Sequence, residues 1–172
     1  MKVKKPGQVK SDIRVILHDI RSAHNVGSMF RTADAAGIAH IYLSGYTPAP
    51  LDRFKRPRKD IAKVALGAEK TIPWTAISEV ADAGGKLLKL LAELKKQGFT
   101  IVAVEQNAKS VDYKKVFLPN KAVIIVGNEV DGISPGILKQ CDLIVEIPMR
   151  GKKESLNVSV AFGVALFKML GI

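Results

Sequence analysis

Apolar runs of strand length recur along this chain, with a helical pattern between each and the next. That alternation limits the possible folds more than any other feature. Expected strands are Ile13–Leu17, His40–Ser44, Phe99–Val104, Ala122–Gly127 and Leu143–Ile147. The run Val123-Ile124-Ile125-Val126 is β-branched throughout, which suits a strand covered on both faces. Helical periodicity marks about Val26–Ala36, Asp60–Leu66, Ser78–Gln97, Pro135–Gln140 and Leu156–Leu170. Such a sequence predicts an α/β domain with a mainly parallel sheet flanked by helices. Its 172 residues, 47% of them hydrophobic, suffice for one domain with a proper core. The expected domain spans 1–172, with residues 1–11 as a flexible basic tail.

Within this frame two helices stand out. Ser78–Gln97 carries Leu87, Leu88, Leu90, Leu91 and Leu94 on one broad face, and Gly84-Gly85 predicts a break in its first half. The last helix carries Val160, Ala161, Val164, Ala165, Phe167 and Met169, a stripe wide enough for a core helix or for packing against a second subunit.

The net charge of +11 is unevenly spread. The first 70 residues hold 14 Lys/Arg against 6 Asp/Glu, and the remainder 13 against 10. This asymmetry points to a polyanion, most simply nucleic acid, drawn by phosphate contacts and counterion release. The densest stretch contains Arg53, Lys55, Arg56, Arg58 and Lys59 among Pro48, Pro50 and Pro57. The start, Met1 to Gly7, is basic but has no apolar stretch of secretory type. A lone Cys141 reads as a small buried hydrophobe, and no Cys/His cluster has metal-ligand spacing. A cytoplasmic protein with no metal is the expectation.

Three polar stretches sit at ends of the apolar runs. In the first, Asn25-Val26-Gly27-Ser28-Met29-Phe30-Arg31, Asn25 is an expected helix N-cap and Gly27 lets something approach the backbone. Arg31 reads as a surface salt-bridge partner or, with the helix N-terminus, as a phosphate clamp. The second stretch, Gly127 to Gly132, leaves the most buried strand, where ligands of open parallel sheets bind. Glu129 there could orient Arg31 or a polar ligand group. The third runs from Ile147-Pro148-Met149 to Ser155-Leu156-Asn157-Val158-Ser159. Ser155 is the expected cap of the last helix, and Asn157 would face a ligand at its N-terminus. Arg150, Lys152 and Lys153 add phosphate-binding capacity. No Gly-x-Gly-x-x-Gly, Walker-type loop or Gly-x-Ser-x-Gly elbow is present, so a nucleotide-like cofactor needs another binding scheme.

Read in order, these stretches resemble the three motifs of the SpoU (TrmH-like) branch of the SPOUT RNA methyltransferases. The matches are Asn-x-Gly-x-x-x-Arg at Asn25–Arg31, Gly-Asn-Glu-x-x-Gly at Gly127–Gly132, and Ile-Pro-Met-x-Gly followed by Ser-Leu-Asn-Val-Ser at Ile147–Ser159. Lys63 to Ala68 also looks like the family, and the likeness runs from Asp12 to Leu170. It implies a deep C-terminal trefoil knot, an exception to the rule against knots. It implies S-adenosylmethionine held in that knot by loops containing Val104, Glu105, Val126, Gly127, Ile147, Pro148 and Met149, with Ser155 beside it and Leu156 closing over the adenine. It implies a homodimer with the site near the subunit interface. The reaction would be methyl transfer to a ribose 2′-hydroxyl of tRNA or rRNA. Arg31 would activate that hydroxyl, or grip the neighbouring phosphate and stabilise alkoxide charge. Asn25, Glu129, Ser155 and Asn157 would position Arg31, ribose and cofactor. RNA recognition would fall on Arg53, Lys55, Arg56, Arg58 and Lys59, with Arg150 and Lys152 near the site. The chain resembles the minimal members that lack an extra RNA-binding domain. Two alternatives stay open: a non-catalytic RNA-binding protein of the same fold, and a knotted base methyltransferase.

Overall fold

The computed structural model describes residues 11–77 and 85–172. Seven strands form one sheet. They are β1 (Asp12–His18), β2 (His40–Ser44), β3 (Trp74–Ile77), β4 (Thr100–Val104), β5 (Val111–Asp112), β6 (Lys121–Val126) and β7 (Leu143–Glu146), in the order β3-β2-β1-β6-β4-β7-β5. Every neighbouring pair is parallel. The expected α/β class with a parallel sheet is what the chain adopts. β6 enters between β1 and β4, and β7 between β4 and β5, so the last third of the chain returns into the middle of the sheet.

Strand periodicity splits the core cleanly. Side chains two apart share a face, so Ile13, Val15 and Leu17 of β1 lie in one cluster with Ala122, Ile124 and Val126 of β6. Helices α1 (Ala23–Ala36), α2 (Lys59–Ala65), α3 (Ala68–Thr71) and α6 (Val158–Leu170) cover that face through residues such as Met29, Phe30, Ile61 and Phe162. Ile16, Val123 and Ile125 point to the other face, against Leu87, Leu91 and Leu94 of α4 (Gly85–Lys96) and Ile137 of α5 (Pro135–Leu138). β6 is completely buried from Ala122 to Val126, as its unbroken β-branched run requires.

Local chemistry moves several boundaries. α1 starts earlier than expected because Ser22, not Asn25, is its N-cap, accepting from the Asn25 N–H at 3.3 Å. α6 starts later, at Val158, because Asn157 and not Ser155 caps it, accepting from the Ser159 N–H at 3.0 Å. Both shifts place an asparagine at a helix start with part of its amide directed elsewhere. The first part of the expected Ser78–Gln97 helix lies outside the described residues, and the helix is described from Gly85. β3 and β5 were not legible: both are sheet edges, only partly buried, and β5 has two residues. Short α3, set behind Gly67, was also missed.

Gly27 does permit a close approach, but by protein. A Cβ there would lie 2.8 Å from the Ile61 carbonyl oxygen and 2.9 Å from Val64 Cβ on α2. Overpacking of this kind costs about 1–3 kcal/mol. Gly27→Ala is therefore expected to lower the unfolding free energy by that amount, seen as a lower urea midpoint with little change in the slope of the transition, read by circular dichroism.

Candidate active site

Because all neighbouring strands are parallel, the loops leaving β1, β2, β4, β6 and β7 open on one edge of the sheet. A cavity of about 370 Å³ lies among three of them, bounded by Val104 and Glu105 after β4, Val126 to Gly132 after β6, and Ile147, Met149 and Glu154 to Leu156 after β7. Val158 and Ala161 close it from the first turn of α6.

At the mouth, side chains far apart in sequence form one chain of hydrogen bonds. Asn25 Nδ2 donates to Glu129 Oε1 at 2.9 Å, and Asn157 Nδ2 donates to Asn25 Oδ1 at 3.2 Å. The Arg21 N–H reaches Glu129 Oε2 at 3.3 Å. Asn157 Oδ1 accepts from the Ser159 N–H and, at 2.6 Å, from its hydroxyl. Thus one residue from the α1 first turn, one from the β6 loop and the α6 cap are locked together. Partial burial disfavours the charged form of Glu129. Hydrogen bonds from Asn25 and from the backbone N–H groups of Glu129, Arg21 and Ser22 outweigh that, holding its carboxyl below the usual carboxylate range.

A second set of bonds fixes the β6 loop. Buried Asn128 accepts from the Val130 and Asp131 N–H groups at 2.6 and 2.8 Å, donates to the Asp19 carbonyl at 3.0 Å, and touches the Tyr46 hydroxyl. Gly132 has φ of 65°, and a Cβ there would sit 2.4 Å from Glu105 Oε2. Below, His18 Nδ1 meets Ser44 Oγ at 2.9 Å, and Thr47 Oγ1 accepts from the Ile20 N–H at 3.0 Å. These contacts hold the short link from β1 to α1 against the β2 loop.

Residues 12–167 match the model of the SpoU rRNA Methylase family. The chain belongs to this family. It is 36% identical over 152 residues to a 23S rRNA (guanosine-2′-O-)-methyltransferase of Neisseria meningitidis, a match covering 88% of this chain and 55% of that protein. It is 34% identical over 159 residues to a tRNA (guanosine(18)-2′-O)-methyltransferase of Aquifex aeolicus, covering 92% and 69% respectively. Among solved structures, the AdoMet-bound rRNA methyltransferase of Sinorhizobium meliloti matches with a TM-score of 0.77 at 26% identity, covering 94% of this chain and 56% of that one. The A. aeolicus TrmH/SpoU tRNA modifying enzyme gives 0.76 at 29%, covering 94% and 75%. The chain thus spans little more than half the length of its Neisseria relative.

In this SpoU family member, most of the residues expected to hold a cofactor do line the cavity: Val104, Glu105, Val126, Gly127, Ile147, Met149, Ser155 and Leu156. Glu105 lines it with a carboxylate that already accepts from the Gln106 and Ile133 N–H groups at 2.9 Å each. Pro148 borders an adjoining hollow of about 390 Å³ with Gly151 and Lys153 instead. Arg31 is exposed on α1, about 240° round the helix from Asn25 and ~9 Å along it. Among the described residues it takes no part in the Asn25–Glu129–Asn157 chain.

Of the expected RNA-binding residues, Arg56 pairs with Asp52 and Arg58 with Asp60, at 2.8 and 2.7 Å. Arg53, Lys55, Lys59, Arg150 and Lys152 are exposed. Sequence reasoning missed Arg21, Tyr46, Asp131, Glu146 and Glu154 around the site. No local pattern marks them: Tyr46 meets Asn128 across 82 positions. Among the described residues, no group of His, Cys, Asp and Glu side chains could hold a metal ion, and no helix is long and apolar enough to cross a membrane.

Glu129 generates a pH prediction. Its folded pKa is depressed, so its contribution to stability is present above the unfolded value and is lost as pH falls through the folded one. Solvent screening limits this contribution to below ~1 kcal/mol. Glu129→Gln should be destabilised relative to the parent at neutral pH, with the gap closing below about pH 4.5. Urea unfolding across that range measures it.

Proposed function

We propose that this chain is an S-adenosylmethionine-dependent methyltransferase acting on a ribose 2′-hydroxyl of tRNA or rRNA in the cytoplasm, working as a homodimer of one catalytic domain. One observation carries the reading. Five of the chain's 16 acidic residues, Glu105, Glu129, Asp131, Glu146 and Glu154, line a cavity in which, among the described residues, no Lys or Arg appears. A protein of net charge +11 that reserves an acidic, half-apolar hollow is built for a cationic, hydroxyl-bearing ligand and not for a phosphorylated one. A sulfonium nucleoside has that chemistry, and both the family and an AdoMet-bound structural relative support it.

The residues present fit such a cofactor. Ile147, Met149 and Leu156 supply apolar surface for the adenine, and Val104, Val126 and Gly127 form the floor. The carboxylates of Glu146 and Glu154, which make no side-chain hydrogen bond or ion pair among the described residues, are at hand for ribose hydroxyls and the ammonium group. When bound, the cofactor supplies an electrophilic methyl group on a good leaving group. The protein's own task is then to align the RNA hydroxyl, work that can contribute roughly 7–11 kcal/mol. Asn25 and Asn157, fixed by Glu129, present polar groups at the mouth for the ribose, with Ser155 beside them. A guanidinium is a permanent cation in proteins. In this reading Arg31 grips the phosphate next to the target ribose and stabilises the alkoxide as charge develops.

The exposed face of α6 supports the expected dimer. Its first residue adjoins the active-site cap, and Val160 and Val164 lie 50% and 39% exposed along it, with Leu156 42% exposed just before. A second copy seated on this stripe lies against the mouth, where its surface can complete the substrate site. The trefoil knot belongs to the same reading, supported by the return of β6 and β7 into the sheet interior.

Three measurements test this. Calorimetry should detect S-adenosylmethionine binding, and labelled methyl should enter tRNA or rRNA as a 2′-O-methylated nucleoside by mass spectrometry. A methylated base would instead identify a base methyltransferase, and no label would favour a non-catalytic RNA binder. Arg31→Ala should lose at least about 100-fold in turnover while keeping its fold and cofactor binding. Val160→Asp should shift the sedimentation of the protein from dimer to monomer.

A further inference from the structure

We propose that the loop between β2 and α2 is a nucleobase-stacking site, with the Phe54 ring as platform and Arg53 as its phosphate-seeking companion, receiving an unpaired RNA nucleotide beside the active site. This rests on the reading above that the chain binds RNA. It goes further in naming a single-stranded element and an aromatic residue that no charge argument selects.

The loop is built to hold its tip. Asp52 Oδ1 accepts from the Phe54 and Arg56 N–H groups at 2.8 and 2.9 Å. The Asp52 N–H reaches the Arg56 carbonyl, and the Lys55 N–H the Asp52 carbonyl, both at 2.9 Å. Leu51 and Pro57 form an antiparallel bridge below, and Lys55 takes the left-handed conformation at φ 61°. What this framework presents to solvent is an aromatic ring, Phe54, 61% exposed. A loop serving only solubility has no need to order an apolar side chain at its tip.

The surrounding cations fit a nucleotide. Arg53 and Arg56 place their guanidinium carbons 4.7 and 5.0 Å from the Phe54 ring centre. Arg56 is anchored, donating through Nε to Asp52 at 2.8 Å. Arg53 has no carboxylate partner among the described residues. Stacking of a base on an aromatic ring is stronger than an exposed cation–π contact. An arriving base can therefore take the ring while Arg53 turns to the adjacent phosphate. Position agrees: β2 lies two strands from β6, about 10 Å, with its carboxyl end on the active-site edge. Tyr46 of the same loop touches Asn128 of the second motif. One short strand of RNA can span both.

The test compares the parent, Phe54→Ala, Phe54→Trp and Arg53→Ala in fluorescence-anisotropy titrations against a short mixed-sequence single-stranded RNA and its duplex, over a range of salt. Phe54→Ala should weaken single-strand binding about tenfold. It should leave duplex binding and the slope of log affinity against log salt unchanged, and Phe54→Trp should restore affinity. Arg53→Ala should lower that slope by about one. Equal single-strand affinity for Phe54→Ala and the parent overturns the inference, as does equal loss on single strand and duplex, or conversion of Phe54→Ala to a monomer by sedimentation. Calorimetry with S-adenosylmethionine on the same preparations separates the two readings. Cofactor binding with a silent Phe54→Ala removes only the stacking site, whereas a parent that binds no RNA removes both.

Discussion

Insertion of β6 between β1 and β4 is the constraint on which the remainder depends. It makes the sheet continuous, buries Ala122 to Val126 on both faces, and delivers Gly127 to Gly132 beside the start of α1. Without that pairing Asn25 and Glu129, 104 positions apart, have no reason to meet. The same register aligns the ends of β1, β4 and β6, so three loops reach the same height above the sheet. Backbone pairing thus does the positioning, and side chains at the rim need only short reaches.

The molecule separates its charges by purpose. Outside, an excess of Lys and Arg suits a phosphate backbone, whose attraction acts over many ångströms and responds to salt. Inside the cavity the sign reverses. Acidic groups there would repel a nucleotide phosphate but favour a cation and accept hydrogen bonds from hydroxyls. Two ligands of opposite character can then occupy neighbouring sites without competing. The ion pairs Arg56–Asp52 and Arg58–Asp60 add little stability as exposed pairs, but they give the basic loop a defined shape.

Much of this was legible because it rests on periodicity. The five principal strands stand within one residue of their expected ends at most points, since β-branched runs and the 3.6-residue pattern are local properties. The residues that line the cavity were named by the family resemblance, and most of them follow strand ends, where a parallel sheet opens. What escaped depended on distant partners. Ser22 displaced Asn25 as cap because Glu129 and Asn157 hold the Asn25 amide, a fact held in residues 104 and 132 positions away. Nothing local shows that the Glu105 carboxylate ties the β4 loop to the β6 loop, where the turn at Gly132 brings the Ile133 N–H to it. Edge strands β3 and β5 pair on one side only and carry little pattern of their own.

Asn157 has a consequence for biosynthesis. It is the α6 cap and also the final member of the polar chain at the mouth, while the far end of the same helix is pinned where the Leu118 N–H meets the Met169 carbonyl at 2.9 Å. A ribosome releasing this chain from its N-terminus can complete most of the sheet before either tie exists. A chain cut short before Asn157 therefore keeps all seven strands but lacks both the α6 cap and the last member of the polar chain at the mouth.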